Sequence, residues 1–136
     1  GRDQGRTSTP TVALVAAAAG KPYHIDFGGH AAFQYAPDVA NLFIRAARAE
    51  VQDAPALNVG GAAVSLSEWV TTIEEVLPEA KGLITHGDTE LPFAYRVDNS
   101  GLVRLLGPVP ETPIREGIRQ SIEMFQDLLN RGLVKP

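Results

Sequence analysis

The chain has 136 residues, 44% hydrophobic and 21% charged, with a net charge of −4 at pH 7 and no cysteine. That length supports one domain with a real core, and the acidic balance argues against nucleic-acid or membrane-surface binding, both of which need a basic patch. The absence of thiols excludes disulfides, thiol catalysis and cysteine-bound zinc or iron–sulfur centres and fits a cytoplasmic protein, and no apolar run reaches the roughly 20 residues that span a bilayer.

The chain begins at Gly1 with a polar, turn-like run and no signal peptide, and reads as starting inside a larger protein. Residues 1–8 read as a loop. Thr9 is placed to cap a first helix with Pro10 at its first position, and Gly20 to end it. Four consecutive alanines, at 16–19, predict tight contact with another element. Residues 22–27 and 31–36 alternate as short strands around Gly28-Gly29. Asp38 is placed to cap the next helix, whose Val39, Leu42, Phe43 and Ala46 fall on one stripe expected to be buried. A strand at 56–59, closed by Gly60-Gly61, completes a βαβ-like unit that needs a sheet to join.

Ser65-Leu66-Ser67-Glu68 is a capping box. Its helix carries Leu66, Trp69, Val70, Ile73, Val76 and Leu77 on one side and stops at Pro78. Residues 83–86 read as a strand leading into a loop over 87–93. Asp98 is expected to cap a short helix that runs through Leu106 to Gly107. Thr112-Pro113 repeats the cap-plus-proline start, ahead of a last helix with Ile114, Ile118, Ile122, Phe125 and Leu128 at helical spacing.

Chemistry-bearing clusters are sparse. His24, His30 and His86 are scattered, without the pairing or HExxH pattern of a metal site. Gly60-Gly61 lies between a strand and a helix but lacks GxGxxG spacing, and reads as a tight turn needing positive φ. No GxSxG elbow occurs. The richest polar cluster is Arg2, Asp3, Arg6, Thr7 and Ser8, which is able to hold an anionic or hydroxylated ligand or to stand as a solvated loop. Arg96, beside Tyr95, is a second candidate.

Four segments, in order, resemble the C-terminal half of the extended short-chain dehydrogenase/reductase family, the NAD-dependent epimerase/dehydratase group. Gly1-Arg2-Asp3-Gln4-Gly5 is similar to the loop after the family's Tyr-Gly-Pro turn. Phe33-Gln34-Tyr35-Ala36-Pro37-Asp38-Val39-Ala40 resembles its aromatic strand ending in Asp-Val-Ala. Leu57-Asn58-Val59-Gly60-Gly61 followed by Ser65 and Glu68 resembles its Asn-Val-Gly…Ser…Glu segment. The run from Leu106-Gly107 through Glu116-Gly117-Ile118 resembles its ending.

The resemblance implies an α/β fold over residues 1–136: a substrate-binding lobe, mostly helical with a few short strands, including one edge strand (56–59) of a Rossmann sheet whose remainder is missing. In the family the cofactor loop and catalytic Tyr-x-x-x-Lys lie in the N-terminal half; here Tyr23, Tyr35 and Tyr95 all lack a Lys four residues on. The implied whole is an NAD- or NADP-dependent epimerase, dehydratase or dehydrogenase. Its substrate would be a small polar molecule (a sugar, nucleotide sugar or hydroxy acid), and the lobe would be inactive alone. Arg2, Thr7, Ser8, Tyr35 and Arg96 would be the substrate-side residues, the Rossmann half the partner, and a homodimer the assembly. Members acting on nucleotide sugars usually carry Arg where this chain has Ala31, and the Tyr35-x-Pro37-Asp38 pattern is more similar to the L-threonine 3-dehydrogenase branch. The alternative is a stand-alone, non-catalytic ligand- or partner-binding module.

Overall fold

The computed structural model describes residues 5–51 and 53–135. A 3-10 turn, Arg6–Ser8, runs straight into helix α1 (Thr9–Ala18). Ser8, not Thr9, stands at the cap position. Its backbone is already helical (φ −88°, ψ −8°), whereas a capping side chain needs an extended backbone. Its hydroxyl therefore turns back and donates to the Gly5 carbonyl at 2.6 Å. The exit is as expected: Gly20 (φ 66°) donates to Ala17 O at 3.0 Å and Lys21 to Ala16 O at 2.9 Å, a Schellman closure. Ala13, Ala16 and Ala17 are buried, and this small-residue face lets α1 lie close against the last helix, α5 (Ile114–Asn130).

The strands are short and form two pairs. β1 (Tyr23–Ile25) runs parallel to β4 (Ile84–His86), with Tyr23 opposite Ile84. β2 (His30–Phe33) runs antiparallel to β3 (Ala62–Ser65), with Phe33 opposite Ala62. Close backbone approaches explain two glycines. A Cβ on Gly28 would lie 2.0 Å from the Gly87 carbonyl oxygen, and one on Gly61 would lie 2.7 Å from that of Phe33. Gly61 thus serves contact with the end of β2, while Gly60 faces Asn99, and the pair does not form the expected positive-φ turn; neither is among the positive-φ glycines. The unit from β2 to β3 closes antiparallel, so it is not βαβ within this chain. Residues 56–59 belong to no strand among the described residues. The Gln34 amide instead donates to the carbonyls of Val59 (2.8 Å) and Gly60 (3.3 Å).

Helix α2 (Ala36–Arg48) corrects two expectations. Asp38 is not its cap. Tyr35 holds that place without a side-chain bond, and the Asp38 carboxylate accepts the Thr112 amide at 2.7 Å and the Thr112 hydroxyl at 3.1 Å. Thr112 is likewise not a cap for α5: the helix begins at Ile114 with Pro113 at the cap position, and the Thr112 hydroxyl donates to Asp38. Nor is the apolar stripe buried as a whole. Leu42 is buried, but Phe43 is 72% exposed. The stripe faces an open cleft of about 390 Å³ walled by Val51, Leu57, Val59, Leu102 and Leu106. Arg45 on the same helix donates to the carbonyls of Leu106 and Pro108, tying α2 to the end of α4 (Ser100–Leu106).

Helix α3 (Leu66–Val76) begins with the expected capping box: Glu68 N donates to Ser65 Oγ at 3.1 Å, and Ser65 N to Glu68 Oε2 at 2.9 Å. These bonds from Ser65, the backbone one foremost, hold the Glu68 carboxyl below its usual range. Asn99 occupies the cap position of α4, yet Asp98 still takes the first-turn amide of Ser100 at 2.9 Å. The core forms where α1, α3 and α5 meet the strands: Leu14, Ile25, Phe27, Leu66, Trp69, Ile73, Ile84, Ile118 and Ile122 are all buried in one cluster. No helix among the described residues is long and apolar enough to cross a membrane.

Candidate functional site

Two clefts open on either side of Phe33 and Gln34, at the end of β2. The first, about 450 Å³, is bounded by Thr7, Pro10 and Thr11, by β2, and by the loop carrying Leu91, Phe93 and Tyr95. The 3-10 turn that displaces Thr9 from its cap role brings Thr7 to this wall. The His30 ring stacks on Tyr95 with centroids 5.0 Å apart and planes 22° from parallel. Glu90 accepts the His30 amide at 3.1 Å, fixing the entrance loop to β2. The cleft thus offers aromatic faces, a hydroxyl at Thr7 and a carboxylate at its edge, a set suited to a small polar molecule.

The second cleft, about 520 Å³, lies between α1, the start of α2 and α5. Pro10, Thr11, Phe33 and Gln34 border both clefts, so the two adjoin. Tyr35 lines the second. Its hydroxyl donates to Gln120 Oε1 at 2.6 Å, and the Gln120 amide donates to Glu116. Arg119 binds both oxygens of Glu116 and also reaches Glu123. The Arg119 guanidinium, followed by Gln120, pulls the Glu116 carboxyl from its ordinary 4.5 to about 2, and the two carboxylates raise Arg119.

A carboxylate whose folded pKa is depressed adds stability that is complete above its ordinary value and is lost as pH falls through the folded one. Acid unfolding is therefore expected to include a Glu116 contribution between pH 4.5 and about 2. Melting temperature against pH should fall less steeply across that window in Glu116→Gln than in the parent chain. Identical slopes would remove the network from the acid response.

Of the residues singled out by sequence, Thr7 and Tyr35 line adjoining clefts. Ser8 sits beside Thr7 with its hydroxyl on Gly5 and lines neither cleft, and Arg96 is exposed and lines neither. Arg2 lies outside the described residues. His30, Gln34 and Tyr95 line the first cleft, with Glu90 bonded to His30 at its edge, and were not singled out. No spacing rule links His30 to Tyr95, because a parallel pairing of distant strands brings them together.

The fold recurs in solved enzymes. A partial-consensus L-threonine 3-dehydrogenase superposes with a TM-score of 0.76 at 15% identity, covering 92% of this chain and 44% of that one. The NAD-dependent NDP-hexosamine 5,6-dehydratase TunA, involved in tunicamycin biosynthesis, gives 0.69 at 19% identity, covering 93% and 43%. The Bordetella bronchiseptica enzyme WbmF, in complex with NADH, gives 0.71 at 22% identity, covering 96% and 41%. No protein-family model matches the chain, and no curated protein does. At these identities the likeness is one of fold: the chain is α/β and has the fold of part of an extended short-chain dehydrogenase/reductase, and it spans less than half of each of these enzymes.

Proposed function

We propose that this chain is the C-terminal, substrate-side lobe of an NAD(P)-dependent dehydrogenase, epimerase or dehydratase acting on a sugar, nucleotide sugar or small hydroxy acid. The observation that carries the reading is the coverage: the fold accounts for 92% to 96% of this chain but only 41% to 44% of the solved enzymes. The remainder of such an enzyme would supply the dinucleotide loop and the Tyr-x-x-x-Lys acid/base pair. A second support is the open apolar cleft along α2, with Phe43 and Leu57 beside it, a surface of the kind that packs against another domain. On this reading residues 56–59 join the edge of the Rossmann sheet, and the protein is cytoplasmic and able to form a homodimer.

When bound, NAD(P) takes or returns the hydride at a hydroxyl-bearing carbon. The residues of this chain bind and orient. Thr7 offers a hydroxyl from the wall of the first cleft, Tyr35, pinned by Gln120, walls the adjoining one, and Arg2, Ser8 and Arg96 are assigned to the polar substrate on sequence grounds alone. The test is the complete polypeptide assayed for nicotinamide reduction against sugars, nucleotide sugars and hydroxy acids. One of these classes should give turnover, and the Thr7→Ala/Ser8→Ala double variant should lower kcat/KM by about tenfold, the effect of losing one or two substrate hydrogen bonds. No turnover with any class contradicts the enzyme reading; unchanged kinetics remove Thr7 and Ser8 from the site.

A further inference from the structure

We infer that the second cleft is a chamber for an apolar group, an aliphatic or aromatic substituent carried by the small polar molecule that the first cleft receives. The inference rests on the first cleft being the substrate site and adds the other half of the ligand. Continuity is the first ground: the clefts meet over Pro10, Thr11, Phe33 and Gln34, so one molecule can reach into both. Size is the second, since about 520 Å³ lies in the range of small-molecule pockets and far above the packing voids of a protein interior.

The chemistry of the wall decides what fits. Most of its polar groups are engaged within the chain, and the exposed Thr11 stands at the border shared with the first cleft. The Tyr35 hydroxyl donates to Gln120, the Ser121 hydroxyl to Gly117 O at 2.6 Å, the Thr112 hydroxyl to Asp38, and the Gln34 amide to Val59 O. Beyond that border the wall offers a ligand carbon: Leu14, Trp69, Ile114, Met124 and Phe125. A polar group placed there would lose water and find those donors taken, whereas an apolar one loses only its unfavourable hydration. The walls also resist collapse. Tyr35 is held by Gln120, Trp69 is stacked flat on Phe33, and the Asp38–Thr112 bonds fix α2 against the start of α5.

Trp69 is the chain's one tryptophan and lines the chamber, so its emission reports occupancy. The experiment titrates the chain with 1-hexanol, using glycerol as the polar control. Hexanol should change Trp69 emission saturably and glycerol should not. Filling the chamber from opposite walls, with Ser121→Phe or Ala40→Phe, should weaken hexanol binding about tenfold or more, since a ring would occupy the volume. Far-ultraviolet circular dichroism checks that each variant folds, and either variant alone suffices. A hexanol response that never saturates, or that is equal in a folded filled variant, overturns the inference. Turnover of an unsubstituted substrate by the complete polypeptide reads the function proposal separately, so the failure of one is distinguishable from the failure of the other.

Discussion

Trp69→Ala is expected to destabilise this chain by about 3–5 kcal/mol, the usual range for removing a buried aromatic side chain. Trp69 is 2% exposed and stacks on Phe33 with ring centroids 5.2 Å apart and planes within 10°. It fastens α3 to β2 from inside the core, and α3 in turn packs on α5. A loss of that size is a large share of the roughly 5–15 kcal/mol that holds a domain together. Urea unfolding followed by circular dichroism measures it, because the substitution removes the fluorophore. Trp69→Phe keeps an aromatic face for the stack and should lose less than half as much. A Trp69→Ala cost below about 1 kcal/mol would mean that the core does not centre on α3.

Asp38→Ala is expected to cost about 1.5–3 kcal/mol, the range for hydrogen bonds to a charged group. The carboxylate joins the first turn of α2 to the chain just before α5, across 74 residues of sequence. Removing it leaves the half-buried Thr112 amide without its acceptor. It also takes a negative charge from a helix N-terminus, where it is favourable by about 0.3–1 kcal/mol. Thr112→Val deletes only the hydroxyl bond and should cost about 0.5–1.5 kcal/mol. The double variant should fall little below Asp38→Ala alone, because the pair shares one interaction. Fully additive losses would mean that Asp38 acts as a local helix residue, as its position in the sequence first indicates.

That last contrast shows where sequence stops being legible. Ser65 and Glu68 satisfy each other within one turn, so their pattern is self-contained and appears as expected. Asp38 and Thr112 carry equally good capping chemistry, but each meets the other first, and no local pattern records a partner 74 residues away. The stripe on α2 is visible as a stripe. Periodicity tells which face is apolar and not what covers it, and in this chain Phe43 stays exposed. Residues 56–59 likewise have the composition of a strand, yet pairing needs a neighbour, and the strand of this stretch begins after the glycines, at Ala62. The small-residue face of α1 and the stripe of α5 were legible together because each answers the other. In the candidate site Thr7 and Tyr35 were within reach of motif reasoning. His30, Glu90 and Tyr95 were not, because the loop that carries two of them is placed by the β1–β4 pairing.

The central claim is that this chain is one lobe and that the dinucleotide belongs to another. NADH binding tests it most directly, by equilibrium titration of the 136-residue chain alone and of the complete polypeptide that carries it. The lobe alone should show no saturable binding, and the complete polypeptide should bind NADH and transfer its hydride. Saturable NADH binding by the isolated chain, or a complete polypeptide that does not bind it, would contradict the assignment.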